Sequence, residues 1–187
     1  MAGAKTLYEI EVSLVGIEPR IWRRLTIPAD CRLPDLHQIL QIAMGWFNCH
    51  CYYFEIGGKH YSDPEDELED SLSDAALTLA DALRESADGF EYVYDMGDDW
   101  IHEVRLVAKG TAAEDESAPL CLDGAGACPP EDVGGARGYR DFLWANKYPK
   151  HEQHKSFLDW AGGLFNPKAF DRRNVSSALV AWWAQRR

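Results

Sequence analysis

Apolar and polar positions alternate from Leu7 to Val15: Tyr8, Ile10, Val12 and Leu14 share one face, Glu9, Glu11 and Ser13 the other. A period of two predicts a half-buried strand. Gly16-Ile17-Glu18-Pro19 reads as a turn, and Arg20–Ile27 as a second strand with Ile21, Leu25 and Ile27 on one face. Parity puts Arg23 on that apolar face, which requires either a bulge or a buried partner for the charge. Arg20, Trp22 and Arg24 fall opposite, as a solvated cationic face or a ligand-facing one. The period then changes. Pro34 suits a first helical turn, and Leu36, Ile39, Leu40, Ala43 and Phe47 recur at helical spacing up to and past Gly45.

Alternation returns over His50–Ile56. Gly57-Gly58 turns the chain into Lys59–Ser62. Seven acids crowd Asp63–Asp74, which predicts a solvated, mobile loop. Thr78 is placed to cap a short helix, Leu79–Ser86. Two β-like runs, Phe90–Asp95 and Trp100–Val107, flank Met96-Gly97-Asp98-Asp99. This predicts a hairpin, with Gly97 supplying positive φ. Ala112–Ala118 reads as a polar linker. Cys121–Gly135, rich in Gly and Pro, has no period and reads as a shaped loop. Helical patterns follow over Tyr139–Lys147 and Pro149–Trp160. Asp171 then caps a last helix with a stripe of Val175, Ala178, Leu179, Trp182 and Trp183.

Hairpin strands followed by a crossing helix predict an α+β fold. The form expected is a β-grasp-like (ubiquitin-like) mixed sheet over residues 7–110, with a polar loop and C-terminal helical extension over 119–187. A ferredoxin-like sandwich fits less well, because its first strand leads straight into a helix.

Composition narrows the functions. With 46% hydrophobic and 12% aromatic residues in 187, the chain has material for a sizeable core. No apolar run approaches a membrane span, and Met1–Thr6 lacks a signal-peptide apolar region. Five cysteines without a CxxC pair point to reduced thiols and a cytoplasmic setting. The net charge of −12 disfavours nucleic acid as a partner and suits a cation, a basic protein or a small molecule.

The chemistry concentrates in Tyr94–His102, where Asp95, Asp98 and Asp99 stand beside Trp100 and His102. The Cys121–Gly135 loop adds Cys121, Cys128, Glu131 and Asp132, and His151 and His154 share a helix face further on. Histidine, carboxylate and thiolate together suit zinc or a similar divalent metal, although no recognised ligand spacing occurs. His102 shares its strand face with Trp100, Val104 and Leu106, which also suits a core histidine. Two other readings compete. The acids can form a structural network, with Asp95 and Asp98 bonding turn amides. Alternatively, Trp22, Trp46, Trp100, Tyr94 and Trp144 can wall a binding groove. No GxSxG, P-loop or GxGxxG motif is present, and Cys49, Cys51, Cys121 and Cys128 are candidate nucleophiles without a histidine partner that the sequence assigns, so covalent catalysis is poorly supported.

Several stretches together resemble the Ri-plasmid open-reading-frame-three-like family. They are Tyr94–His102, Gly126–Gly135 with Gly138-Tyr139, Phe165–Asp171, and Met44-Gly45-Trp46 followed by His50 and Phe54. The resemblance covers nearly the whole chain and implies one domain over 1–187, without an established activity. Members often have Cys where this chain has Val133, and Asp where it has Asn166. The resemblance also brings an association with mobile elements and, for some members, a TnpR-like resolvase label. The residues do not support that label. Ser13 lies among Glu9 and Glu11, and Arg172, Arg173, Arg186 and Arg187 have no helix-turn-helix before them. The expectation is a cytoplasmic binding or accessory protein, with Asp95, Asp98, Trp100, His102, Glu131 and Asp132 as ligand-binding candidates. The alternative is a metal-dependent hydrolase centred on the same hairpin and loop.

Overall fold

The computed structural model describes residues 4–87, 89–113 and 117–186. Residues 1–3 of the expected N-terminus, and residues 114–116 of the expected linker, lie outside these. Eight strands form one mixed sheet: β1 (Ala4–Leu14), β2 (Trp22–Pro28), β3 (Tyr52–Ile56), β4 (Lys59–Ser62), β5 (Ser71–Ser73), β6 (Phe90–Tyr94), β7 (Trp100–Ala113) and β8 (Leu120–Ala125). Their order is β5-β4-β3-β6-β7-β1-β2-β8, and only β4 and β5 run parallel. Five α-helices complete the fold: α1 (Leu33–Met44), α2 (Leu79–Glu85), α3 (Gly135–Lys147), α4 (His154–Ala161) and α5 (Arg172–Gln185).

The alternation seen in the chain becomes the two faces of this sheet. Register sets Val12 beside Arg23 and Val104, and Tyr92 beside Phe54 and His102. These side chains are buried beneath α1, whose Leu36, Ile39, Leu40 and Ala43 are also buried. The other face is polar. Arg20 and Arg24 pair with Glu11 and Glu9 across strands, so the cationic face is neutralised locally. α1 ends at Gly45, whose φ of 95° lets its N–H reach the Gln41 carbonyl. Phe47, assigned above to the helical stripe, therefore falls past the helix end and is 82% exposed.

Four further expectations need correction. The acidic segment is not a free loop. It carries a 3-10 turn at Pro64–Asp66 and strand β5, and its last acid, Asp74, is buried and accepts a 2.6 Å hydrogen bond from the Tyr52 hydroxyl. The hairpin turn takes its positive φ from Asp95 (57°) and Asp99 (55°), with no such angle at Gly97. Short polar side chains tolerate this conformation because they bond their own backbone, and Asp95 Oδ1 accepts from the Gly97 and Asp98 amides. β7 continues to Ala113, into the expected linker, because β1 pairs with it over its whole length. Finally, the segment read as a shaped loop begins with strand β8, which extends the sheet beyond β2. Of the expected architecture, the register establishes a mixed α+β sheet with a helix over one face. It does not establish the ubiquitin-like version, since both neighbours of β1 run antiparallel to it.

Two histidines lie inside this core. His37 stacks on Tyr52 at 3.5 Å and bonds the Tyr92 hydroxyl and Asn48 Oδ1. His102 is fully buried and donates from Nδ1 to the Tyr92 carbonyl at 3.1 Å. Burial holds the pKa of each down at about 4, from an ordinary 6.5.

Two predictions follow from this core. Tyr52→Phe removes the hydroxyl partner of the buried Asp74 carboxyl, so it should cost roughly 1–3 kcal/mol, read as a lowered urea midpoint. If Asp63–Asp74 were merely solvated, that midpoint would not move. The buried histidines stay neutral in the fold but protonate near pH 6.5 when unfolded. Their contribution is therefore complete above about pH 6.5 and is lost as pH falls from there toward 4. His102→Asn keeps a donor for the Tyr92 carbonyl and removes one titration. Its melting temperature should fall less steeply than that of the parent between pH 6.5 and 5; equal slopes would contradict the assignment.

Candidate functional site

The hairpin and the loop meet. Asp98 Oδ2 accepts from the Gly134 amide at 3.0 Å. Gly135, at φ +64°, lies so close that a Cβ there would sit 2.6 Å from the Asp98 carbonyl oxygen. Behind this junction, the Trp46 indole donates to the Pro129 carbonyl at 3.1 Å and fixes the proline pair against the end of α1. Glu131 is thereby drawn inward. Its Oε1 accepts from the Phe47 amide at 2.9 Å and from the Tyr94 hydroxyl at 3.1 Å.

The focus of the junction is a residue outside the candidate ligands read from the chain. His50 Nε2 lies 3.2 Å from Asp132 Oδ1, 3.5 Å from Asp95 Oδ2 and 4.0 Å from Glu131 Oε2. Cys49 Sγ joins His50 and Glu131 within a 4.8 Å cluster. Neither His50 Nε2 nor Glu131 Oε2 makes a hydrogen bond, although both atoms are buried. The imidazole stands edge-on to Tyr94, ring centres 5.9 Å apart. The signals in the chain for His50 were its place two residues before Tyr52 on an alternating run and its place after Met44-Gly45-Trp46 in the family resemblance.

The other candidates are dispersed. Asp95, Glu131 and Asp132 converge on His50, while Asp98 secures the junction and is turned to Gly134. Trp100 is buried, with Trp46 packed against it at 6.2 Å. His102 points into the same aromatic core, 5.1 Å from Trp46 and edge-on, and faces no carboxylate. Strand parity decides this: Trp100, His102 and Val104 share the buried face of β7. Cys121 lies on β8 against α5, where its amide donates to Ser176 Oγ. The Cys128 thiol is buried near Arg23, and burial pushes its pKa well up. His151 and His154 do not share a helix face as expected: His151 lies in the α3–α4 connection, while His154 opens α4 and donates to the Ala145 carbonyl at 2.8 Å. The five aromatics of the expected groove do not form one wall. Trp46, Tyr94 and Trp100 cluster in the core, Trp22 lies under Arg20, and Trp144 is exposed against Tyr148.

Chemically, three carboxylates around one imidazole form a strongly cation-seeking centre. Two donors bound about 2.0–2.2 Å from one ion can stand up to about 4 Å apart. The three distances from His50 Nε2 fall within that reach, and the donors form two overlapping triads, His50–Asp95–Asp132 and Cys49–His50–Glu131, each with its atoms within 4.8 Å of one another. Nitrogen with carboxylate oxygen suits zinc, manganese and related divalent ions. Among the described residues, no helix is long and apolar enough to cross a membrane.

Comparison with known proteins relates the chain as a whole to others. The chain is 36% identical to the uncharacterized protein y4hQ of Sinorhizobium fredii (strain NBRC 101917 / NGR234), over 97% of this chain and 96% of that one. It is also similar to the crystal structure of a protein of unknown function, MM3350 from Methanosarcina mazei Go1. The TM-score is 0.82 at 32% identity, over 92% of this chain and 98% of that one. The plasmid pRiA4b ORF-3-like description matches residues 6–174, and the chain belongs to that family.

Proposed function

We propose that this protein is a divalent-cation-binding accessory module, with two overlapping ligand sets that share His50: His50, Asp95 and Asp132, and His50, Glu131 and Cys49. One observation carries the reading: a buried imidazole nitrogen and a buried carboxylate oxygen, both without hydrogen bonds, face each other across 4.0 Å. Leaving a buried carboxylate oxygen such as Glu131 Oε2 without a hydrogen bond costs about 1–3 kcal/mol, a cost that a cation shared with His50 removes. In the second set Cys49 is a softer ligand. Five free thiols support the cytoplasmic setting, where they stay reduced. The β1–β2 hairpin followed by α1 supports the β-grasp-like description of residues 7–110, and one domain over 1–187 is the matching organisation. The link to plasmids and mobile elements rests on the family's name alone.

A metal-dependent hydrolase is the second reading. The observation favouring it is that Glu131 borders both this centre and a large groove, so a bound ion would lie near a place for substrate.

Protein prepared without a histidine tag should bind zinc or manganese at one equivalent by calorimetry. His50→Ala should weaken this at least about tenfold, whereas His102→Ala should not. No binding by folded protein would end the reading. Metal-dependent cleavage of chromogenic esters or phosphodiesters, lost in His50→Ala, would select the hydrolase. Gly135→Ala tests the junction separately. Positive φ and the Asp98 carbonyl both oppose a Cβ, so stability should fall by at least about 1–2 kcal/mol and metal affinity should fall with it. A variant with unchanged melting temperature and affinity would mean that the hairpin and loop do not need this contact.

A further inference from the structure

A groove of about 880 Å³ opens between the end of α1, the Ala127–Glu131 segment and the C-terminal helices α4 and α5. Its walls are mainly apolar, with Ile42, Trp46, Pro129, Trp160, Phe165 and Val175 among them. The size and lining are those of a small-molecule site, for which volumes of roughly 300–1,000 Å³ are usual. Its one cationic lining residue is Arg23, which is 3% exposed.

Arg23 is in an unusual state of satisfaction. Its Nε donates to the Ala43 carbonyl, Nη1 to the Trp22 and Ala125 carbonyls, and Nη2 to the Gly126 carbonyl, at 2.8 to 2.9 Å. A guanidinium has five N–H donors, so one on Nη2 is left over. No carboxylate among the described residues pairs with the charge; only carbonyl dipoles and the Phe170 ring, 4.5 Å away, face it. The two acids on the lining are committed elsewhere. Asp171 caps α5 through the Arg173 and Asn174 amides, and Glu131 Oε1 is held by the Phe47 amide and the Tyr94 hydroxyl. The Cys128 thiol stays protonated and adds no negative charge.

We propose that this groove binds an apolar small molecule ending in a single carboxylate, with Arg23 receiving the head and the aromatic and aliphatic walls receiving the tail. A neutral tail suits the walls, and one negative group answers an otherwise uncompensated buried cation. A second negative group on the same molecule would meet Glu131 or Asp171, so dicarboxylates are disfavoured. This site adjoins the proposed cation centre through Glu131 but does not require a bound ion.

The test uses the full chain in excess EDTA, so that no bound ion can take the carboxylate. Decanoate and its methyl ester are titrated while the fluorescence of Trp46 and Trp160, both on the lining, is followed. The expected result is saturable decanoate binding at least tenfold tighter than that of the ester. Ala169→Trp, at an exposed position of the lining, should abolish it without altering the melting temperature. Arg23→Lys, if folded, should remove the preference for acid over ester. Because Arg23 also ties backbone segments together, the Ala169 variant keeps the idea testable if the Arg23 variant does not fold. Equal affinity for acid and ester, no binding of either, or binding indifferent to Ala169→Trp would each overturn the proposal.

Discussion

The structure depends on a guanidinium in the wrong place by the usual rules. Arg23 stands on the apolar face of β2, where an uncompensated charge is costly, and four backbone carbonyls solvate it in place of water. Those carbonyls come from the last turn of α1, from β2 itself, and from the end of β8 and the residue after it. One side chain therefore fixes the angle between a helix end, a sheet edge and the start of an irregular segment. The carbonyl of Ala43, near the helix terminus, also gains a donor that the helix does not supply. Charge and geometry are inseparable here, since only a planar fork with five donors can serve several carbonyls at once.

Everything functional lies downstream of that anchor. From Gly126 the chain runs under Trp46, which holds the Pro129 carbonyl, and delivers Glu131 and Asp132 beside His50. The hairpin approaches from the other side, its turn shaped by Asp95 and its tip joined to Gly134 through Asp98. Each of these acids has a division of labour. One oxygen of Asp95 and one of Glu131 are used for structure, and the other oxygen of each is turned toward the imidazole. The split orientation is what makes the cluster a candidate for a ligand.

The order of elements was largely legible in the chain. Alternation located β1, β2, β3, β6 and β7, and helical spacing with Pro34, Thr78 and Asp171 located α1, α2 and α5. These signals are local, because burial on one face imposes a period on each strand or helix separately. Parity also flagged Arg23 as anomalous and placed His102 among core residues, and both readings agree with the burial of those side chains. Strand β8 escaped notice because a short edge strand rich in Gly and Asp has no apolar alternation to display. The docking of the acidic segment escaped because it turns on one hydrogen bond to Tyr52, and a charge count cannot reveal that.

The residues that gather around His50 show the limit most directly. That Asp95, Glu131 and Asp132 were chemically capable could be read from their types and their irregular surroundings. That His50, and not His102, stands among them depends on the inward face of β7 and on where the segment before β3 meets the hairpin and the loop. The chain by itself therefore determined the α+β character, the two-faced strands and the stock of acidic and aromatic groups. Only the tertiary structure decided which imidazole meets the acids. That choice is made by backbone contacts between segments distant in sequence, and no local period records them.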